Sequence, residues 1–148
     1  MPTTTINLTI TKSTVGLGSV DNTADTAKPV STAQQTALDL KKDIIERVQS
    51  VTSSATVTPT ATNDVVVITA QAAALILANP TGSPTQGQAM VIRIKDNGTA
   101  RAITYGSQYR AIGITLPTTT TISKTTYIGM IYNSTDTKWD CIGTATEA

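Results

Sequence analysis

Ten carboxylates, eleven Lys and Arg side chains and one thiol are the groups in this 148-residue chain that could do chemistry, and no histidine stands among them. Without imidazole the commonest general base and the commonest zinc ligand are missing, as is every Ser-His or Cys-His nucleophile arrangement. Catalysis would fall to a carboxylate pair, a lysine or a metal held by oxygen. The acids are scattered, with no close pair in an apolar setting, so a glycosidase-type pair finds little support. Cys141 lies between Asp140 and Ile142 and has no disulfide partner in the chain. A small buried hydrophobe made in a reducing compartment is expected there, with a reactive thiol as the sharper alternative. The residue inventory thus predicts no enzyme, no catalytic residue and no cofactor.

Several spacings invite a ligand and then fail. VGLGSVD, residues 15–21, holds Gly16 and Gly18 but neither the third glycine of a dinucleotide fingerprint nor the lysine of a phosphate loop. DNTADTAKPVST, residues 21–32, opens like a calcium loop at Asp21 and Asp25. Thr26 then stands where the obligatory glycine belongs and Thr32 where the bidentate glutamate belongs, so no metal is expected. Tyr105, Tyr109 and Trp139 form a candidate sugar-stacking platform. The alternative, in a chain with no Phe, is that these few aromatics support the core or the hairpins. A net charge of +1 with no basic block argues against nucleic acid as a partner. No run of eighteen apolar residues exists, and Met1 is followed by a Thr-rich polar segment. Neither membrane insertion nor export by a signal of its own is expected.

The elements that must position these residues change character along the chain. TTTINLTIT, residues 3–11, puts Ile6, Leu8 and Ile10 on one side of an extended segment. It reads as an arm, residues 1–14, that adds a strand to another protein, or equally as one more strand of the chain's own sheet. Pro29, the capping residues Ser31 and Thr32, and Gln34 and Gln35 three positions beyond them predict a helix starting at Ser31 or Thr32. AQQTALDLKKDIIERVQSV, residues 33–51, carries Ala33, Ala37, Leu40, Ile44, Val48 and Val51 at steps of three and four, an apolar face of about five turns. That stripe packs on the chain's own sheet or forms a short parallel coiled coil with other copies. Arg47 at a d position, with Val48 beside it, makes the heptad imperfect.

Residues 52–62, rich in Thr, Ser and Ala and containing Pro59, read as a linker. From residue 63 onward DVVVITA, AALILAN, AMVIRIK, RAITYG, YRAIGITL, TTTI, TYIGMIY and KWDCIGT read as short strands. KDNGT, residues 95–99, gives the clearest hairpin signal, and NSTDT, residues 133–137, a second. Residues 79–87, with two prolines, read as a longer loop. The expectation is a mainly β protein: an antiparallel β-sandwich or jelly roll over 63–148, preceded by the arm and one helix in a collar segment over 15–51. In MVIRIK, Met90, Ile92 and Ile94 face one way; in YIGMIY both faces look buried, so one sheet face is expected to meet another subunit.

VGLGSVDNTADTAKPVSTAQQTALDLK, residues 15–41, resembles a segment of tailed-bacteriophage tail-fibre and related virion proteins. In that family a Gly-Leu-Gly-Asn-Val-Asp-Asn-Thr-Ser-Asp pattern leads through Lys-Pro-Val-Ser into a helix. The match runs over Gly16, Leu17, Gly18, Val20, Asp21, Asn22, Thr23, Asp25, Lys28, Pro29, Val30 and Ser31; Ser19 and Ala24 depart from the usual Asn and Ser. VIRIKDNGTARAITYGSQYRAIG and YIGMIYNSTDTKWDCIG also look like β domains of small phage structural proteins. The resemblance implies a trimeric virion component in which the segment acts as a collar before a short helical bundle, with no catalytic residue. A short chain with its own Met, an arm and one β domain suits a capsid decoration, cement or head-fibre protein on the virion surface, assembled in the host cytoplasm. The expected partners are two further copies and the major capsid protein or another virion protein. Leu40, Ile44, Val48 and Val51 are the expected trimer contacts, and Ile6, Leu8 and Ile10 the expected shell attachment. The alternatives are a small tail-fibre or receptor-binding protein reading a host surface glycan, and a carbohydrate-binding module using Tyr105, Tyr109 and Trp139.

Overall fold

The computed structural model describes residues 1–4, 9–11, 13–17, 30–41 and 46–148. The chain divides into two compact units, Met1–Lys42 and Asp43–Ala148. Its described residues form nine strands and one helix, a mainly β protein.

In the first unit the chain turns over Ser13–Gly16. The amides of Thr14 and Val15 donate to the Thr11 carbonyl, and Gly16 closes the turn at φ +74, a backbone state that favours glycine. Helix α1 spans Thr32–Asp39. Ser31 caps it as expected: the Gln34 amide donates to Ser31 Oγ at 3.3 Å, and the Ser31 amide donates to Gln34 Oε1 at 3.1 Å. This reciprocal pairing satisfies two donors that the first turn would otherwise leave free. Gln35 Nε2 donates to Asp39 Oδ1 one turn on, at 2.7 Å. The helix then stops, with Leu40 as its C-cap, after about two turns of the five expected.

The second unit explains part of that difference. Val48–Val51, expected at the end of the helix, is strand β1. Its register with β3 (Val65–Gln71) is Val48↔Val65 through Val51↔Ile68, in parallel. Arg47 pins the register: its amide and Nε donate to Asp64 Oδ2, each at 3.1 Å, while the Asp64 amide donates to the Arg47 carbonyl at 2.8 Å. A β-branched segment with an apolar partner strand in register gains more from the ladder than from one more helical turn. The expected linker is likewise structured. Strand β2 (Thr56–Val57) lies within it, and Val57, Pro59 and Ala61 are buried.

Strands β4 (Leu75–Leu77), β5 (Ala89–Asp96), β6 (Ile103–Tyr105), β7 (Tyr109–Ala111), β8 (Thr125–Asn133) and β9 (Lys138–Thr146) complete the unit. A six-stranded sheet has the order β1-β3-β5-β8-β9-β7, and a three-stranded sheet the order β2-β4-β6. The chain therefore alternates between the two sheets from β1 to β6, each strand stacking on the one before last, as in a short solenoid. Five of the seven ladders are parallel; only β5 with β8 and β8 with β9 run antiparallel. The expected antiparallel sandwich or jelly roll is corrected on this point. Asn97-Gly98 is a corner that carries the chain from the large sheet toward the small one, whereas the Asn133–Thr137 turn does close the β8–β9 hairpin. The TTTI segment contributes one isolated bridge, Ala102↔Thr119, in place of a strand.

The inner faces of both sheets share one core. Val66, Ile68, Ile92, Ile94, Ile128, Met130 and Trp139 from the large sheet meet Val57, Leu75, Leu77 and Ile103 from the small one. Each such side chain contributes roughly 1.5–3 kcal/mol on burial. One close approach seals the far end of the small sheet: a Cβ on Gly106 would lie 2.2 Å from Asn79 Oδ1 and 2.7 Å from the Asn79 backbone nitrogen. Asn79 is held there by the Gln108 amide, which donates to its Oδ1 at 2.9 Å. Gly106→Ala is therefore expected to destabilise the protein by about 1–3 kcal/mol, read from the urea midpoint at an unchanged slope.

Candidate functional site

Several charged groups of the described residues are committed to each other. Arg110 forks onto Asp140, with Nε to Oδ1 at 2.6 Å and Nη2 to Oδ2 at 3.0 Å, and reaches Asp136 Oδ2 at 2.8 Å through Nη1. These hydrogen bonds raise the Arg110 guanidinium and hold the Asp140 carboxyl below the usual range. Lys95 Nζ donates to Glu147 Oε2 at 3.0 Å, and the Thr125 amide donates to the same oxygen, so Glu147 is lowered too. Asp96 is buried, which pushes its carboxyl up. Accepting from the Thr120 hydroxyl at 2.6 Å and from the Ser123, Gly98 and Thr99 amides outweighs this, leaving its pKa below the ordinary 3.8. Carboxylates held charged by donors lock corners and edges; they are poorly placed to take up a proton near neutrality. Among the described residues no group of three His, Cys, Asp or Glu is placed to hold a metal ion.

The expected glycan platform is corrected. Trp139 and Tyr109 are buried and Tyr105 half-buried, with Tyr105 against Tyr109 edge-on at 5.6 Å and Tyr132 against Trp139 at 5.2 Å. The Tyr105 and Tyr109 hydroxyls donate to the Pro117 and Ala78 carbonyls at 2.7 and 3.0 Å. Burial raises both phenols. The rings fill the interior because this core has no Phe to do so, and rings used there present no face to a sugar. Cys141 is fully buried and its thiol is pushed up by burial, as a small core hydrophobe would be.

What is left exposed is apolar. α1 buries none of its residues, and Leu38 and Leu40 are 55% and 82% exposed. Val30, Gln34, Ala37, Leu38 and Lys41 line a shallow apolar concavity along one side of the helix. Of the expected trimer contacts, Leu40 sits at the C-cap outside this concavity, Ile44 lies outside the described residues, and Val48 and Val51 belong to β1. Val30 and Leu38 were missed because the expected stripe assumed a longer helix. The row Val30, Gln34, Ala37 or Leu38, Lys41 is the signal that a two-turn reading would have found. Of the expected attachment residues, Ile10 is exposed, while Ile6 and Leu8 lie outside the described residues.

Comparison of the chain with protein-family models, curated proteins and solved structures gives no match.

Proposed function

We propose that the protein is a bacteriophage virion structural protein, a homotrimer that decorates the capsid surface as a cement or head-fibre protein, with neither catalytic nor nucleic-acid-binding activity. What carries this reading is the segment from Gly16 to Ser31, whose resemblance to phage fibre segments ends on the residue that caps α1. A helix of eight residues that buries nothing supports it. Such a helix is not stable alone in water and calls for apolar partners, which two further copies supply as a short bundle. Three arms per trimer, each presenting Ile6, Leu8 and Ile10, would hold a shell firmly through effective concentration even where one arm docks weakly.

Deleting residues 1–14 and imaging labelled protein on particles tests the proposal. The full chain is expected in copies distributed over the capsid, and the truncated protein to be folded but absent from particles. Copies confined to the tail would replace decoration with the small tail-fibre reading. Wild-type occupancy by the truncated protein would remove the arm from attachment.

A further inference from the structure

The outer face of the six-stranded sheet carries an uncovered apolar row. Register places Val48, Val65, Val91, Gly129 and Gly143 side by side across five strands. Their sequence neighbours Val66, Ile92, Ile128 and Met130 point into the core, so the row points away from it. Val48 and Val91 are 51% and 37% exposed. Between Gly129↔Gly143 and Met130↔Cys141 the ladder skips one residue, Ile142, which stands out at 52% exposure beside the paired glycines. The two glycines floor a groove rimmed by Val91, Tyr127, Ile142 and Ala145, with Ile142 Cγ1 leaning over Gly129, 3.6 Å from where a Cβ would stand, so the open part lies at Gly143. A Cβ on Gly143 would meet nothing within 4 Å.

The occupant follows from three properties of this face. First, relief: a knob, Ile142, stands next to a hole of its own kind, so one copy's knob fits another copy's hole whether the contact closes about a two-fold or a three-fold axis. Second, charge: Asp140 is tied to Arg110 and Lys95 to Glu147, which leaves the face little to select a charged partner. Arg93, which makes no ion pair among the described residues, is in register with the exposed ring of Tyr127. Third, area: four central strands of seven to nine residues cover about 19 Å by 25 Å in projection. That is about 475 Å² before side-chain relief is counted, more than half of the roughly 800 Å² per partner that a standard interface buries.

We propose that this face is an interface between copies of the chain, the Ile142 side chain of one copy filling the Gly129–Gly143 groove of the next. The proposal shares with the virion reading only that the chain assembles with itself, and it places a contact in the second unit, apart from α1.

The test is light scattering over a dilution series of the full chain and of three variants, Gly143→Val, Ile142→Lys and Leu40→Asp, each with a circular dichroism spectrum to confirm folding. The wild type is expected to be an oligomer, and Gly143→Val to raise its dissociation constant about tenfold or more by filling the groove. Ile142→Lys is expected to weaken it likewise. Gly143→Val adds apolar surface, so a face that is merely sticky would associate more tightly; that result overturns the proposal. So does a monomeric wild type, and so does wild-type mass in both sheet-face variants; if Leu40→Asp alone dissociates, the helix contact stands and this one fails. Dissociation of the sheet-face variants with Leu40→Asp unchanged upholds the proposal and removes Leu40 from the contacts between copies. Should Ile142→Lys not fold, Gly143→Val decides, since its added atoms enter open space.

Discussion

Trp139→Ala is expected to remove about 3–5 kcal/mol of stability, the largest loss from any single truncation in the core. Trp139 is 1% exposed and among the largest of the fully buried side chains, on a strand, β9, that joins the β8 hairpin to edge strand β7. Its amide donates to the Gln108 carbonyl at 2.7 Å, and its ring lies 5.2 Å from that of Tyr132. Truncation would therefore open a cavity where three strands meet, in a core whose other rings are Tyr132 and the carbonyl-bound Tyr105 and Tyr109. Denaturant unfolding followed by fluorescence at tyrosine wavelengths or by circular dichroism reads the loss. Trp139→Phe should retain much of the stability, because it keeps a ring in the space and removes an indole N–H that meets no acceptor among the described residues. Equal losses in the two variants would show that the fold depends on something other than filled volume there.

Asp96→Ala is expected to cost roughly 2–4 kcal/mol, although the donors to this carboxylate are hydroxyl and amide groups and include no cation. The carboxylate ends β5 and ties its corner. Oδ1 accepts from the Gly98 amide at 2.7 Å and the Ser123 amide at 3.0 Å, and Oδ2 from the Thr120 hydroxyl at 2.6 Å. Alanine would leave those donors beside a buried apolar group. Because the folded-state pKa lies below its ordinary value, the stabilisation is present above the unfolded carboxyl's pKa and is lost as pH falls through the folded one. The wild type should lose stability on acidification below about pH 4, and Asp96→Asn should flatten that part of the profile. A wild-type and Asp96→Asn pair whose urea midpoints fall in parallel from pH 5 to pH 3 would exclude this carboxylate as the acid-sensitive tie.

The local signals that the sequence carried were those decided within a few residues. Ser31 with Gln34 marked the start of α1 because a capping box is closed by side chains three positions apart. Met90, Ile92 and Ile94 were legible as a buried face because strand periodicity is a property of the backbone itself, and the Asn133–Thr137 turn because its two strands are neighbours in the chain. On β8 alternation suggests two buried faces, whereas the side that carries Tyr127 is exposed.

What only the tertiary structure decided was which strands are neighbours and therefore what each residue faces. Asn97-Gly98 has the residues of a hairpin turn, yet Asp96 ties the corner to Thr120 and Ser123, more than twenty residues away, and sends the chain into the other sheet. Repeated at each corner from β1 to β6, this change of sheet makes the stack mainly parallel. Val48 and Val51 fit a helical stripe as well as a strand; the partner strand at Val65–Ile68 and the Arg47–Asp64 clamp, supplied from elsewhere in the chain, chose the strand. The same holds for the aromatic residues. A tyrosine or tryptophan is amphipathic enough for a binding face or a core, and the choice at Tyr105, Tyr109 and Trp139 was made by carbonyls and rings that only folding brings within reach.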